Sequence, residues 1–514
     1  MLSQTTLSLT IARRIGFVIL AVMFGAGAMI AILGRGPWYD EFYSLYVVRP
    51  GAPLSTLYPA WLRDNHPPLF YALAWAWSRL IAATGLGGTG LAGTIAGMRA
   101  INCVLLVTLV WVLGRLARAD AWFARILWYD GLALAATFPA LDQIDQLRSY
   151  FLSFVLAAIV LPLLARDILG HAGRWTRIAL GLVLAVAFSV HVLTTVIIGS
   201  LVAATVLHHA FARRWNDACR LTAIAALALI PFAITMAIQF STIAANTRVF
   251  WIPGGFNAGR WAIETEVHDA VYANPVLLLV ALAGLAVTLP ALRRRDPDAQ
   301  MSAVVIITFA AGLALAVAVL MAAHLYRPML VSRYLVALDP VIALILAIGA
   351  HAATRRLAIR AVIVIDALVL LATGFAIHAN CLGTIAKPSW DGTGMAIARI
   401  VHACPQATVH PDLHWNTLAL DMPPRDNRAV VPFAYRFEAH RMGFALSPAG
   451  SLSPGGANSL SATCPNVFWT EHVANRHPTA QAIIDALRRA GYPIRSGRVE
   501  RSGIGWILVT PPIA

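Results

Sequence analysis

Residues 178–212 read IALGLVLAVAFSVHVLTTVIIGSLVAATVLHHAFA and contain no Asp, Glu, Lys or Arg. A membrane-crossing helix needs ~20 mostly apolar residues to span ~30 Å of hydrocarbon. The run is too long for one such helix and is read as two, turning near His191–Thr195. The same criterion, carried outward, marks spans at 15–34, 100–114, 121–141, 149–165, 221–238, 275–292, 301–323, 335–350 and 361–377. Segment 67–84 is apolar too, but it opens on Pro67–Pro68 and carries Arg79, which suits a helix that enters the membrane without crossing. Composition agrees: 59% of residues are apolar and 12% charged, with mean hydropathy +0.71. An average soluble domain carries roughly 25% charge, so a soluble core, a disordered chain and a repetitive fibre are all excluded.

Net charge is +15, and Lys387 is the only lysine. The arginines fall between apolar segments, where they fix orientation, so nucleic acid is not the expected partner. With 67–84 not crossing, the inside loops hold 16 arginines, Arg13 and Arg14 among them, against 8 in the outside loops before the tail. If 67–84 crossed, every later loop would invert and the bias would reverse. The expectation is about eleven spans plus one re-entrant or interfacial helix, with the N-terminus inside. Arg13–Arg14 and Ala26–Gly27–Ala28 also suit a signal peptide, but the apolar run is long and further spans follow, so it is read as a span.

Residues 1–377 form the expected membrane module and 378–514 a small extracytoplasmic α/β domain. The tail has a helical stretch near 479–490, β-rich runs at Val467–Trp469 and Trp506–Val509, and turn clusters at Met422–Pro424 and Ser451–Asn458. Cys404 and Cys464 each precede a proline there. In an oxidising compartment they would pair; two buried free thiols are the alternative. Five cysteines in all exclude a disulfide scaffold. No Walker A loop, dinucleotide fingerprint or C-x-x-C pair occurs. His410-Pro411-Asp412-Leu413-His414 places two imidazoles beside a carboxylate, but no third zinc ligand is evident. No cofactor is required by the sequence, which leaves a divalent metal open.

The outside loops carry the chemistry. Asp40 and Glu41 follow the first span beside Trp38 and Tyr39. A carboxylate held there can act as a general base towards a hydroxyl; a solvated helix N-terminus with favourable dipole charge is the other reading. The first loop ends Asp64-Asn65-His66-Pro67-Pro68-Leu69-Phe70-Tyr71, with His66 either at a site or as a polar cap. The second reads Asp142-Gln143-Ile144-Asp145-Gln146-Leu147-Arg148-Ser149-Tyr150. Acids and an arginine at the rim of apolar helices are costly unless they function, and the guanidinium fork suits phosphate. The third loop holds Arg248, Trp251, Arg260, Glu264 and Glu266, and the fourth runs from His324 to Arg333-Tyr334. Arginine and aromatic residues thus meet on one membrane face, as an anionic lipid-linked substrate would require. Within the third span, Asp130 is expected to pair with Arg125.

The order Trp38-Tyr39-Asp40-Glu41, His66-Pro67-Pro68-Leu69-Phe70-Tyr71, Gln146-Leu147-Arg148-Ser149-Tyr150 and Arg333-Tyr334 resembles the GT-C membrane glycosyltransferases. Within them it is most similar to the protein mannosyltransferase and aminoarabinose transferase group, glycosyltransferase family 39 and its bacterial relatives. The resemblance covers roughly 1–350. It implies a polyprenyl-phosphate sugar donor, Asp40 as catalytic base with Glu41 beside it, and Arg148 and Arg333 near the donor phosphate. His66, Asp145, Tyr150 and Tyr334 complete the expected substrate site. The chain departs from the family in the second loop: the family often has an acid just before the arginine, where Gln146 stands here, with Asp145 and Asp142 further back. The reading is a multi-pass enzyme of the bacterial inner membrane, with its site and tail on the periplasmic side, partnered by membrane lipid and an acceptor that the sequence does not specify. A flippase or transporter of lipid-linked sugars, or a structural assembly subunit, is the alternative. A transporter would be expected to carry ionisable groups at mid-membrane, and here nearly all lie at the rim.

Overall fold

A computed structural model describes residues 4–85, 91–246, 252–411, 430–447, 459–471, 479–502 and 505–513. The first helices are α1 (Gln4–Gly34), α2 (Tyr39–Val48), α3 (Leu57–Arg63), α4 (Leu69–Thr84), α5 (Leu91–Arg99), α6 (Ile101–Ala119), α7 (Ala121–Ala136) and α8 (Phe138–Ile144). Next come α9 (Tyr150–Ile168), α10 (Arg174–Phe188), α11 (Val192–Phe211), α12 (Trp215–Asn246), α13 (Phe256–Val271), α14 (Pro275–Arg293), α15 (Pro297–Tyr326), α16 (Asp339–Thr354) and α17 (Ile359–Ile385). The C-terminal part adds α18 (Trp390–Ala403), β1 (Thr408–Pro411), α19 (Val430–Arg441), β2 (Asn466–Thr470), α20 (Ala480–Arg489), β3 (Arg498–Ser502) and β4 (Gly505–Thr510).

The protein is a polytopic helical membrane protein with a small C-terminal sheet. Every predicted span holds a helix, that of 335–350 beginning at Asp339. Eight helices among the described residues are long and apolar enough to cross a bilayer. Three further segments, α7, α10 and α16, have 16, 15 and 16 residues, only ~22–24 Å of helix at 1.5 Å per residue. Residues 178–212 break as expected, between Phe188 and Val192. Segment 121–141 is two helices, because Pro139 lacks the N–H that would continue α7. Arg125 does not take Asp130 as partner. Its guanidinium bonds the Asp298 carboxylate at 3.2 and 3.3 Å, because the half-exposed first turn of α15 offers a charged partner at lower desolvation cost.

The chain divides into two compact units. The first comprises 1–32, 52–77 and 99–384. Its central helix, α9, is buried at every position except Arg166, which fixes the residues just before it at one end of the bundle. Around it α11 packs on α15 and α14 on α16. The latter pair approach through glycine: a Cβ on Gly284 would lie 1.7 Å from the Gly349 carbonyl oxygen. Close contact through small residues is how helices gain dispersion energy in lipid, where apolar surface alone drives no association. Apolar side chains such as Val18, Leu227 and Phe375 point outward, as lipid permits.

The second unit comprises 33–51, 78–98 and 385–514. Besides the C-terminal tail it takes in two earlier segments. The sheet order is β1-β2-β4-β3, with β1 and β2 parallel and the other pairs antiparallel. Strand β2 is buried at every position, as a strand covered on both faces must be. On α20, Ile483, Ile484 and Leu487 form one apolar stripe that packs with Phe468, Tyr492 and Leu508. Helix α2 joins this unit: the Trp390 N–H donates to the Pro37 carbonyl at 3.0 Å, and Phe42 lies 4.7 Å from the Trp390 ring and 5.8 Å from Phe437.

Cys404 and Cys464 form a disulfide, with Cα atoms 5.8 Å apart and a sequence separation of 60. Closing a loop of that length removes chain entropy equivalent to about 4 kcal/mol from the unfolded state. Cys404→Ser is expected to lower the melting temperature of the tail by that mechanism, and a non-reduced digest should yield the linked peptides by mass spectrometry. Two freely alkylated thiols in folded protein would refute the bond.

Candidate functional site

Four chain segments of the first unit converge near the N-terminal ends of α9 and α11. The first is the turn 64–68 between α3 and α4. Gln239 on α12 pins it, its Nε2 donating to the carbonyls of Trp61, Asp64 and His66 at 2.8, 3.2 and 3.3 Å. The second is the turn before α9. Asn102 Nδ2 donates to the Gln143, Ile144 and Gln146 carbonyls at 3.4, 2.9 and 2.8 Å, so this loop too is held from a neighbouring helix. The third is His191, the N-cap of α11. The fourth is the 3-10 turn Ser332–Tyr334, whose approach is set by His324: its Nδ1 accepts the Met329 and Leu330 N–H groups, both at 3.1 Å.

Asp64 is the hub. The Tyr71 hydroxyl donates to its Oδ2 at 2.6 Å, and His66 Nδ1 donates to its Oδ1 at 3.2 Å. Arg148 Nη1 donates to the Tyr71 oxygen at 3.1 Å. Burial alone would raise the Asp64 pKa. The charge and hydrogen bond of His66, the Arg148 charge and the Tyr71 hydroxyl outweigh burial and hold the carboxyl well below the usual range. A carboxylate with a depressed native pKa contributes stability that is complete above its ordinary value, about 3.9, and lost as pH falls through the lower native one. The stability gap between wild type and Asp64→Asn should therefore close in strong acid, where the carboxylate takes up its proton, as thermal melts across pH will read. A gap that persists unchanged into strong acid would contradict this placement of the charge.

Beside this hub four rings cluster. His191 lies 5.3 Å from His66, 5.8 Å from Tyr150 and 5.3 Å from Tyr334. Tyr150 and Tyr334 are 5.4 Å apart. The Arg148 guanidinium sits 5.9 Å from the Tyr150 ring and that of Arg333 5.4 Å from the Tyr334 ring. Two guanidiniums, held in orientation against aromatic faces, can offset an anion while the rings supply apolar contact.

Of the predicted site residues, His66, Arg148, Tyr150, Arg333 and Tyr334 come together here. Asp145 is fully buried in the turn before α9, and Asp142 is engaged by the Gln143 and Gln146 side chains. Asp40 and Glu41 open α2 in the second unit, Asp40 half-buried and Glu41 buried. Arg260 pairs with Glu264 along α13 at 3.7 Å. Arg248, Trp251, Asp412, His414 and the two predicted turn clusters of the tail lie outside the described residues. His410 stacks on Phe468 at 5.1 Å, and its Nε2 lies 2.9 Å from Thr408 Oγ1. Burial pushes its pKa down to about 4, so it serves the core of the tail. Among the described residues no three His, Cys, Asp or Glu side chains form a metal-holding group.

Sequence reasoning missed three contributors. Asp64 and Tyr71 stood in the quoted motif without a role, and His191 served only to mark a turn. The usable signal was the Asp64-x-His66 spacing, and the lone imidazole between two helices otherwise empty of charge.

No family model and no curated protein matches this chain. Two solved structures of ArnT from Cupriavidus metallidurans share its fold. The apo structure gives TM-score 0.54 over 96% of this chain and 98% of that one, at 13% identity. The structure bound to undecaprenyl phosphate gives TM-score 0.53 over 96% and 97%, again at 13% identity. The chain thus shares its fold with these ArnT structures.

Proposed function

We propose that the protein transfers a sugar from a polyprenyl-phosphate donor to an acceptor hydroxyl at the extracytoplasmic face of a bacterial inner membrane. The observation that carries this reading is the pair of ring-stacked guanidiniums, Arg148 and Arg333, beside the His66, Tyr150 and Tyr334 rings. That chemistry suits a phosphate joined to a sugar, and a protein of the same fold holds undecaprenyl phosphate. In the reaction the acceptor oxygen bonds to the anomeric carbon as the bond from that carbon to the phosphate oxygen breaks. The acceptor proton passes to Asp40, with Glu41 beside it, and then to solvent. The polyprenyl phosphate leaves with more negative charge than it brought, and Arg148 and Arg333 offset it. Asp40 takes the base role from the resemblance of the Trp38–Glu41 motif.

The test is a transfer assay. Purified protein, incubated with a panel of polyprenyl-phosphate sugars and candidate lipid, polysaccharide and protein acceptors, should release polyprenyl phosphate and form a glycoside with at least one pair. Movement of intact donor across vesicles without a new glycosidic bond would identify a flippase instead. The orientation is tested separately: a reporter active only in the periplasm, fused after residue 514, should be active.

A further inference from the structure

We infer that His191 is a specificity-determining residue of this site, presenting its Nε2–H as a hydrogen-bond donor to a phosphate oxygen held among the His66, Tyr150 and Tyr334 rings. The inference rests on the donor class proposed above and adds a residue to it. The tautomer follows from geometry. His191 Nδ1 accepts the Leu193 N–H at 3.3 Å, capping α11. A nitrogen that accepts cannot also carry the proton, so the proton sits on Nε2, at the opposite edge of the imidazole. Its carbonyl is also committed, accepting from the Thr195 N–H at 3.0 Å and the Thr195 hydroxyl at 3.1 Å. The ring is therefore fixed by its own helix. It is buried and within 5.3–5.8 Å of three other rings of the site.

The charges around it favour the same form. Burial first, then the electrostatic influence of His66 and Arg148, holds its pKa well below the ordinary histidine value, and Asp64 opposes them only in part. An uncharged donor has a specific use at a phosphate that changes charge. The sugar-linked phosphodiester carries one negative charge. The phosphomonoester left after transfer carries roughly 1.5 to 2 at neutral pH. Each added cation would favour the product and slow its release. A neutral N–H orients the phosphodiester without adding to that bias.

His191 also has a structural duty, as the cap of α11, and two substitutions separate the duties. Asn is a good N-cap and places its carbonyl oxygen near the position of Nδ1, but it loses the donor at the far edge. Gln reaches the position of Nε2 with an amide N–H and gives up the cap. Undecaprenyl phosphate binding is measured on full-length protein in nanodiscs, beside the melting temperature. His191→Asn is expected to keep the melting temperature and weaken binding about tenfold or more, the scale of a hydrogen bond to a charged group. His191→Gln should melt lower while recovering most of the affinity. Wild-type affinity in His191→Asn would overturn the inference and leave the proposed function standing. So would a joint fall of affinity and melting temperature in Asn that Gln does not relieve, since that is the behaviour of a cap alone. If wild-type protein binds no undecaprenyl phosphate, the proposed donor class fails and this inference falls with it.

Discussion

Asp40→Asn is expected to leave donor affinity close to wild type and to lower turnover ~10²–10⁴-fold, the usual contribution of positioned acid–base help. The substitution keeps the shape of the side chain and removes only the proton acceptor. The fold should survive it. Helix α2 is held through Phe42 against Trp390 and Phe437 and through the Pro37 carbonyl, and a first-turn carboxylate contributes about 0.3–1 kcal/mol to its helix. Glu41 is the necessary control. It is buried on the packed side of α2, whereas Asp40 is half-buried, which favours Asp40 as the group an acceptor can reach. If Glu41→Gln is inactive while Asp40→Asn retains turnover, the base is Glu41. If neither matters, the proposed mechanism fails at its base.

Arg148→Ala should behave differently, losing donor affinity together with rate. A charge-assisted contact to phosphate contributes roughly 1.5–3 kcal/mol, so affinity should fall about tenfold or more. The loss also removes the Arg148 bond to Tyr71 and a positive charge near Asp64. Arg333→Ala shares the direction, because its guanidinium is held on the Tyr334 ring. Lysine should restore each only in part, since it supplies the charge without the planar fork. A purely structural role predicts instead that these variants lose expression and melting temperature in step with affinity. Equilibrium binding on protein matched for melting behaviour separates the two.

The sequence made the spans legible because their signal is local: length and apolarity alone set α9, α11, α12 and α15. The turn at His191 was legible for the same reason, as the polar interruption of a run too long for one helix. The partners were not. Tyr71 and Arg148 lie 77 residues apart, and nothing in either loop states that they meet at Asp64. The Gln239 clamp on the first loop spans 178 residues and falls just past the predicted span 221–238, where a lone amide carries no motif. Asp130 and Arg125 looked paired because helical spacing is the only proximity a sequence displays; Asp298, 173 residues away, is the actual partner. The tail was readable as α/β from its β-rich runs and the stripe of α20. Its inclusion of α2 was not, since packing against Trp390 depends on chain reversal over hundreds of residues.

The central claim is that the ring and guanidinium cluster recognises the phosphate of a polyprenyl carrier. It is tested most directly by comparing undecaprenyl phosphate with undecaprenol, which shares the chain and lacks the anion, for binding to wild-type protein and Arg148→Ala in nanodiscs. The account predicts that wild type prefers the phosphate by about tenfold or more and that Arg148→Ala loses most of that preference. Equal affinity of wild type for the two lipids would contradict it.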